Sequence, residues 1–233
     1  MSDSVLLVVA HPDDEALGAG ATARTLADRG FDVTSCFLSG EVNARQHRPS
    51  DDELRADTEN ASRILGMRQP ILGPFPNIKM NTVPHLEMVQ FIETAVSNTG
   101  ARWIFTHHPG DINDDHRQVS RATLAAARLF QRGSEVASLK GLFLMEIASS
   151  TDWAFYGAGE QFAPNAYFPV SDDALQAKID ALAAYRGVMR PYPHPRCEEV
   201  LRSHAVARGA ESGLGLCEAF QSVHLDLGDV MKE

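Results

Sequence analysis

Uninterrupted apolar runs alternate with amphipathic stretches along this chain, and two of the runs stop abruptly in polar clusters. The run from Val5 to Ala10 has no polar position, which predicts a strand buried on both faces, as in a parallel sheet. Ala16 to Arg29 follows with helical character. Asp32–Leu38 predicts a second strand and closes a βαβ unit. Helices are predicted at Glu53–Leu65, stopped by Gly66, and at His85–Asn98, where Leu86, Val89, Ile92 and Val96 share a face and Gly100 ends the pattern. Pro70–Leu72 is a short candidate strand. Arg102–Thr106 is another buried strand, then come a helix over about Gln118–Gln131 and a strand over Gly141–Glu146. This alternation predicts an α/β fold of Rossmann-like type: a doubly wound, mostly parallel sheet with helices on both faces. Beyond Ser149 the pattern loosens into short aromatic pieces with Gly and Pro, and only Ala174–Tyr185 and Cys197–Ala210 read as helices.

Length and composition refine this picture. With 233 residues, 44% of them hydrophobic, a single domain is expected, with residues 1–148 as core and 149–233 as a C-terminal elaboration. A net charge of −10 disfavours nucleic acid and anionic membrane surfaces, both polyanions. No run approaches the ~18 apolar residues of a membrane span, so membrane insertion is not expected. The first residues carry no basic stretch, and the apolar run behind them is too short for a signal core. Cys36, Cys197 and Cys217 are odd in number and show no Cys-x-x-Cys spacing, which argues against a disulfide framework or a thiolate metal site. The expected compartment is cytoplasmic, and any metal must be held by His and carboxylate.

Two strand ends carry such ligands. The first run delivers His11-Pro12-Asp13-Asp14-Glu15. The strand at Arg102–Thr106 delivers His107, His108, Asp111, Asp115 and His116. All carboxyl ends of a parallel sheet lie on one edge, so the clusters converge despite their separation in sequence. Two imidazoles and one carboxylate leave a coordination position open, the arrangement of a catalytic site. A second carboxylate beside the ion can take a proton from water. The adjacent pair Asp13 and Asp14 suits this division, although spacing alone does not say which does which. His107 and His108 are neighbours on a strand and face opposite ways, so at least one is expected to be structural.

Ala10-His11-Pro12-Asp13-Asp14-Glu15 resembles the signature of the PIG-L / LmbE-type de-N-acetylases, and His107 to Arg117 resembles the second motif of that family. Weaker likeness runs through Ser39-Gly40-Glu41, Ser62 to Gly66 and Glu218-Ala219-Phe220. The resemblance implies a Rossmann-like fold, a divalent metal (zinc, with ferrous iron the alternative) and hydrolysis of an N-acetyl group on a sugar or glycoconjugate. It implies His11, Asp14 and His116 as metal ligands, Asp13 as general base and Asp115 as a carboxylate that orients a site group. Arg55 stands where some members place a substrate-contacting arginine. Asn113 occupies a position where others have a histidine, and is assigned to substrate binding. His194 resembles a C-terminal histidine brought to the site as electrophile or leaving-group acid. Oligomers are common in the family, so a homo-oligomer is an expectation.

Two other classes compete. Gly18-Ala19-Gly20-Ala21-Thr22-Ala23 fits the dinucleotide fingerprint of an oxidoreductase. However, His11 to Leu17 separate it from the strand, and three carboxylates there would repel pyrophosphate. Close packing of the first helix is the better reading. A catalytically silent metal-binding relative is the other class. His47, His85, His204 and His224 read as surface or helix histidines. The aromatics from Trp153 to Phe168 read as core or subunit contact.

Overall fold

The computed structural model describes residues 3–41, 49–133, 136–155, 157 and 159–228. The elements in chain order are β1 (Ser4–Val9), α1 (Asp14–Asp28), β2 (Asp32–Phe37), α2 (Asp51–Ile64), β3 (Ile71–Leu72), α3 (His85–Thr99), β4 (Trp103–His107), α4 (Asp114–Ala126), β5 (Gly141–Met145), β6 (Ala166–Pro169), α5 (Asp172–Ala184), α6 (Glu198–Ser212) and β7 (Cys217–Leu225). They form a seven-stranded sheet in the order β3-β2-β1-β4-β5-β7-β6. The first five strands are parallel. β7 runs antiparallel to β5, and β6 antiparallel to β7.

β1 lies between β2 and β4, which explains its lack of polar residues: Val5 to Val9 are all buried. Its side chains alternate between two cores. Val5, Leu7 and Val9 pack with residues of α1, α2, α5 and α6, while Leu6, Val8 and Ala10 pack with α3 and α4. Each buried valine or leucine among these contributes ~1.5–3 kcal/mol of transfer free energy. Helices thus cover both faces.

The sequence reading placed most of these elements to within about two residues at each end; the larger differences are in α4, β6 and β7. α4 begins at Asp114 rather than Gln118, because the Asn113 side chain accepts the Asp115 N–H at 3.0 Å and caps the helix early. It also ends at Ala126, with a separate 3₁₀ turn at Leu129–Arg132. β6 and β7 are strands that periodicity did not single out. β6 has only four residues and ends in proline, and β7 mixes polar and apolar positions because its far half is only partly buried. Residues 43–48 of the polar stretch Asn43–Asp52 lie outside the described residues; of the rest, Ser50 caps α2, and Asp51 and Asp52 begin it.

Gly18 and Gly20 lie inside α1. A Cβ on Gly18 would meet Ile147 Cδ1 at 2.8 Å, and one on Gly20 would meet Lys178 Cγ at 3.0 Å. These glycines bring α1 close to its neighbours, and neither sits at the strand-to-helix turn. All three cysteines are free and buried, and burial pushes the Cys36 thiol up to about 12. The native protein should therefore resist a disulfide reagent such as DTNB at pH 8 and release three equivalents only on unfolding. Rapid labelling of the folded chain would contradict this burial.

Candidate active site

The site forms where β1 and β4 end side by side. β1 passes directly into the turn His11-Pro12-Asp13 and then α1. β4 passes through His107 to Asn113 into α4. His11, Asp13, Asp14, Glu15, His107, Asp111, Asp115 and His116 are all buried. Both clusters expected from the sequence therefore meet in one pocket of charge.

Asp14 is the centre. Its Oδ2 accepts the His11 backbone N–H at 3.0 Å and lies 3.2 Å from His116 Nε2 and 3.4 Å from His11 Nδ1. The far nitrogen of each imidazole is held by another carboxylate. Asp111 Oδ2 lies 3.0 Å from His116 Nδ1, and Asp115 Oδ2 lies 2.9 Å from His11 Nε2. Asp115 is itself fixed by the backbone N–H groups of Ile78 at 2.6 Å and Met80 at 2.9 Å. Asp111 accepts the Asn113 N–H at 2.8 Å and the Thr151 hydroxyl at 3.3 Å. Carboxylates behind imidazoles in this way fix ring orientation and raise basicity at the opposite nitrogen.

His116 Nε2 is buried without a hydrogen-bond partner, close to Asp14 but not in bonding geometry. A buried orphan nitrogen facing a carboxylate and a second imidazole suits a cation. His11, Asp14 and His116 place their ligand atoms within 4.8 Å of one another. A second grouping, His107 with Asp111 and His116, meets the same spacing but fits less well. His107 Nε2 already accepts the Ala10 N–H at 2.8 Å, and Asp111 is occupied by His116 Nδ1. His107 is stacked on His116 at 3.9 Å between ring centroids and is a structural wall. His108 Nδ1 accepts the Gly110 N–H at 3.0 Å, so it too has a structural bond.

The charges follow from this geometry. Burial works against charge on His116, yet Asp14 and Asp111 outweigh it and hold its pKa up at about 10. Burial likewise opposes charge on Asp14, but His116, His11 and His107 keep its carboxyl well below the usual range. Burial and the neighbouring His116 push His107 well down, in keeping with a neutral ring.

Asp13 stands beside this cluster. Its backbone is left-handed, with φ of 110°, and its side chain makes no cap bond to α1. Simple helix capping therefore does not account for it. Its Oδ2 accepts Arg196 Nη1 at 3.2 Å. Glu15 braces the same turn: Oε2 accepts the Asp13 N–H at 3.1 Å, and Oε1 accepts the Tyr185 hydroxyl at 2.7 Å. Burial raises Glu15 to about 8, although the Tyr185 bond opposes the shift. Tyr185→Phe leaves Glu15 Oε1 without this donor in a dry site and should lower stability by ~1–3 kcal/mol in urea denaturation. An unchanged midpoint would show that the bond contributes nothing.

The remaining expected residues lie further out. His194 is partly buried against Trp153, with ring centroids 5.2 Å apart, and reaches the cluster through its neighbour Arg196. Arg55 is exposed and lines a cavity of about 330 Å³ with Pro12, Gly40, Glu41, Thr58 and Gly73. Asn113 is committed through Oδ1 to capping α4. Of the histidines read as peripheral, His85 is exposed, His204 and His224 are partly buried, and His47 lies outside the described residues. Sequence reasoning counted Asp111 only among the candidate ligands of the second cluster and gave no role to Arg196 or Tyr185. Asp111 had a local signal in the Asp-x-Asn turn before α4, whereas Arg196 and Tyr185 had none, being 183 and 170 residues from their partners.

A buried His₂Asp group with a further carboxylate beside it, on the carboxyl edge of a parallel sheet, defines an α/β protein with a candidate open metal site. The chain belongs to the PIG-L family, described as GlcNAc-PI de-N-acetylase, whose model matches residues 6–127. It is 26% identical over 192 residues to the uncharacterized deacetylase YaiS of Escherichia coli, covering 78% of this chain and 90% of that protein. A probable N-acetyl-alpha-D-glucosaminyl L-malate deacetylase 2 of Bacillus cereus is 27% identical over 135 residues, 54% of this chain and 61% of its own length. The crystal structure of the conserved protein TT1542 from Thermus thermophilus matches with a TM-score of 0.75 at 26% identity, over 97% of each chain.

Proposed function

We propose that this protein is a metal-dependent N-deacetylase that hydrolyses the acetamide of an N-acetylated amino sugar or glycoconjugate. The observation that carries the reading is the orphan Nε2 of His116 facing Asp14 and His11, with the separate carboxylate of Asp13 alongside. Membership of the family and the name of the Bacillus cereus relative support the substrate class. His11 through Nδ1, Asp14 through Oδ2 and His116 through Nε2 would hold the ion, with zinc the first choice and ferrous iron the alternative, since this donor set suits both. Bound there, it supplies Lewis acidity toward water and the amide carbonyl.

The chain's own groups do the rest. Asp13 takes the proton of the attacking water as general base and returns it to the departing amine. His194 Nδ1 accepts the Arg196 N–H at 3.1 Å, so the neutral ring carries its proton on Nε2. Partial burial and the charges of Arg196 and Arg190 lower its pKa, which favours that neutral form. His194 therefore serves as a hydrogen-bond donor to the carbonyl oxygen as charge develops there. Arg55 and Asn113 contact the sugar. Asp115 and Asp111 keep His11 and His116 aimed. No described helix is long and apolar enough to cross a membrane; the three free thiols suit a reducing compartment such as the cytoplasm.

The test is metal analysis of anaerobically purified protein beside a His11→Ala/Asp14→Ala double variant, followed by acetate release from N-acetylglucosamine and N-acetyl-alpha-D-glucosaminyl L-malate. About one ion per chain, absent from the variant, together with acetate release is the expected result. A wild-type chain that takes up neither zinc nor iron would overturn it.

A further inference from the structure

Asp13, Asp14 and Glu15 are three consecutive carboxylates, all buried, in one turn. Arg196 crosses to it from the segment between α5 and α6, 183 residues away. Its side chain is about four-fifths covered. Nη1 donates to Asp13 Oδ2 at 3.2 Å, while Nε donates to Ser149 Oγ at 2.9 Å. Ser149 is fixed in turn by a bond from its N–H to Asp152 Oδ2 at 2.9 Å, with a left-handed φ of 76°. The planar guanidinium thus spans two acceptors from different parts of the chain, a geometry that a lysine ammonium on a flexible stem does not reproduce.

The backbone of the same residue has a second task, since its N–H donates to His194 Nδ1. One residue accordingly touches the carboxylate assigned as base through its side chain and the imidazole assigned as carbonyl donor through its main chain.

We propose that Arg196 is the positioning residue of this active site, holding the Asp13 carboxylate in its working direction and tying it to the Ser149 loop. The proposal rests on the assignment of Asp13 as base. It gives the C-terminal third a definite task in the reaction: to supply the clamp that the Rossmann-like core lacks.

The experiment uses the full-length zinc-loaded protein and compares Arg196→Ala, Arg196→Lys and Ser149→Ala with wild type. Turnover of N-acetyl-alpha-D-glucosaminyl L-malate and N-acetylglucosamine is measured beside zinc content and a crystal structure of Arg196→Ala. A misdirected base should lower kcat of Arg196→Ala about 10- to 100-fold. KM should stay within about threefold and zinc content should be unchanged, because ground-state binding and the ligands are untouched. Added methylguanidinium should restore part of the lost rate. Arg196→Lys should recover less than the full rate, and Ser149→Ala should fall between, since it frees only one end of the clamp. In the crystal the Asp13 carboxylate should leave its present rotamer with His11, Asp14 and His116 in place. A kcat within twofold of wild type, a loss confined to KM, or an unmoved Asp13 would overturn the proposal. If the wild type releases no acetate from either compound, the proposed function is what fails, and the crystal structure still decides whether Arg196 directs Asp13.

Discussion

Asp13→Asn will lower turnover by about 10²–10⁴-fold while the protein keeps its metal, because general-base catalysis contributes on that scale. Asparagine is the informative replacement. Asp13 has φ of 110°, a region that asparagine enters more readily than alanine, so the variant removes the charge without adding backbone strain. The side-chain oxygen of asparagine can still accept Arg196, and the Glu15 brace on the backbone N–H is unaffected. Only the capacity to take a proton is gone. Neutralising Asp13 also relieves Glu15, whose raised pKa owes part of its shift to the charge of its neighbour, with burial the larger cause. Stability should therefore be maintained or slightly improved, and any loss of rate is chemical. The assay is kcat for acetate release at saturating substrate, with zinc content measured on the same sample. Near-wild-type turnover would transfer the role of base to another group.

What the sequence made legible was what chain-local physics writes down. An all-apolar run that ends in His-Pro-Asp-Asp-Glu states both its burial and its chemistry, because β1 is central and its end is fixed by the sheet. The same holds for β4 and the turn into α4. Parallel topology then brought His11 and His116 together without any further information. The division of labour between the carboxylates was not legible. Asp111 and Asp115 lie four residues apart, one in the turn before α4 and one in its first turn, yet one supports His116 and the other His11, and only the side-chain directions settle it. Arg196 was invisible for a different reason. It lies in a Pro-rich segment with no periodicity, and its meaning comes entirely from a contact across 183 residues. β6 and β7 were missed because a strand near a sheet edge, half covered, leaves neither a solid apolar run nor a clean alternation. His194 shows the limit of analogy: the residue is near the site, but its link to Asp13 runs through Arg196.

The second large effect concerns the ligands, and its pH dependence is fixed in sign. Asp14→Asn removes the one carboxylate to which both His11 and His116 point, and should abolish metal retention through gel filtration. The loss should exceed the ~10–100-fold expected for Asp111→Asn or Asp115→Asn, which only loosen the imidazoles from behind. In the metal-free protein His116 titrates at about 10, since Asp14 and Asp111 outweigh its burial. It is therefore protonated at neutrality and must surrender that proton to become a ligand. Zinc uptake near pH 7 should release at least the His116 proton, with His11, also raised, adding to it, seen as a buffer-dependent heat in calorimetry, and affinity should rise at least about tenfold per pH unit toward 10. In Asp14→Asn the larger of the two charges that raise His116 is gone and only Asp111 remains, so the residual uptake should depend less on pH. The same shift acts on stability. His116 has a folded pKa above its unfolded value, so its contribution is complete below about 6.5 and is lost as pH rises through about 10. Glu15, raised by burial to about 8, slopes the same way: the native state holds a proton that the unfolded chain has released above about 4.5. Asp14, held low, loses its contribution only as pH falls through its depressed folded pKa, outside this window. The Tm of the chelated wild type should thus fall steadily between pH 6 and 10, and zinc should restore it most at the alkaline end. A Tm that rises over this range, or zinc uptake without proton release, would mean that His116 is neutral in the metal-free site and that its two carboxylates do not hold the charge the geometry assigns them.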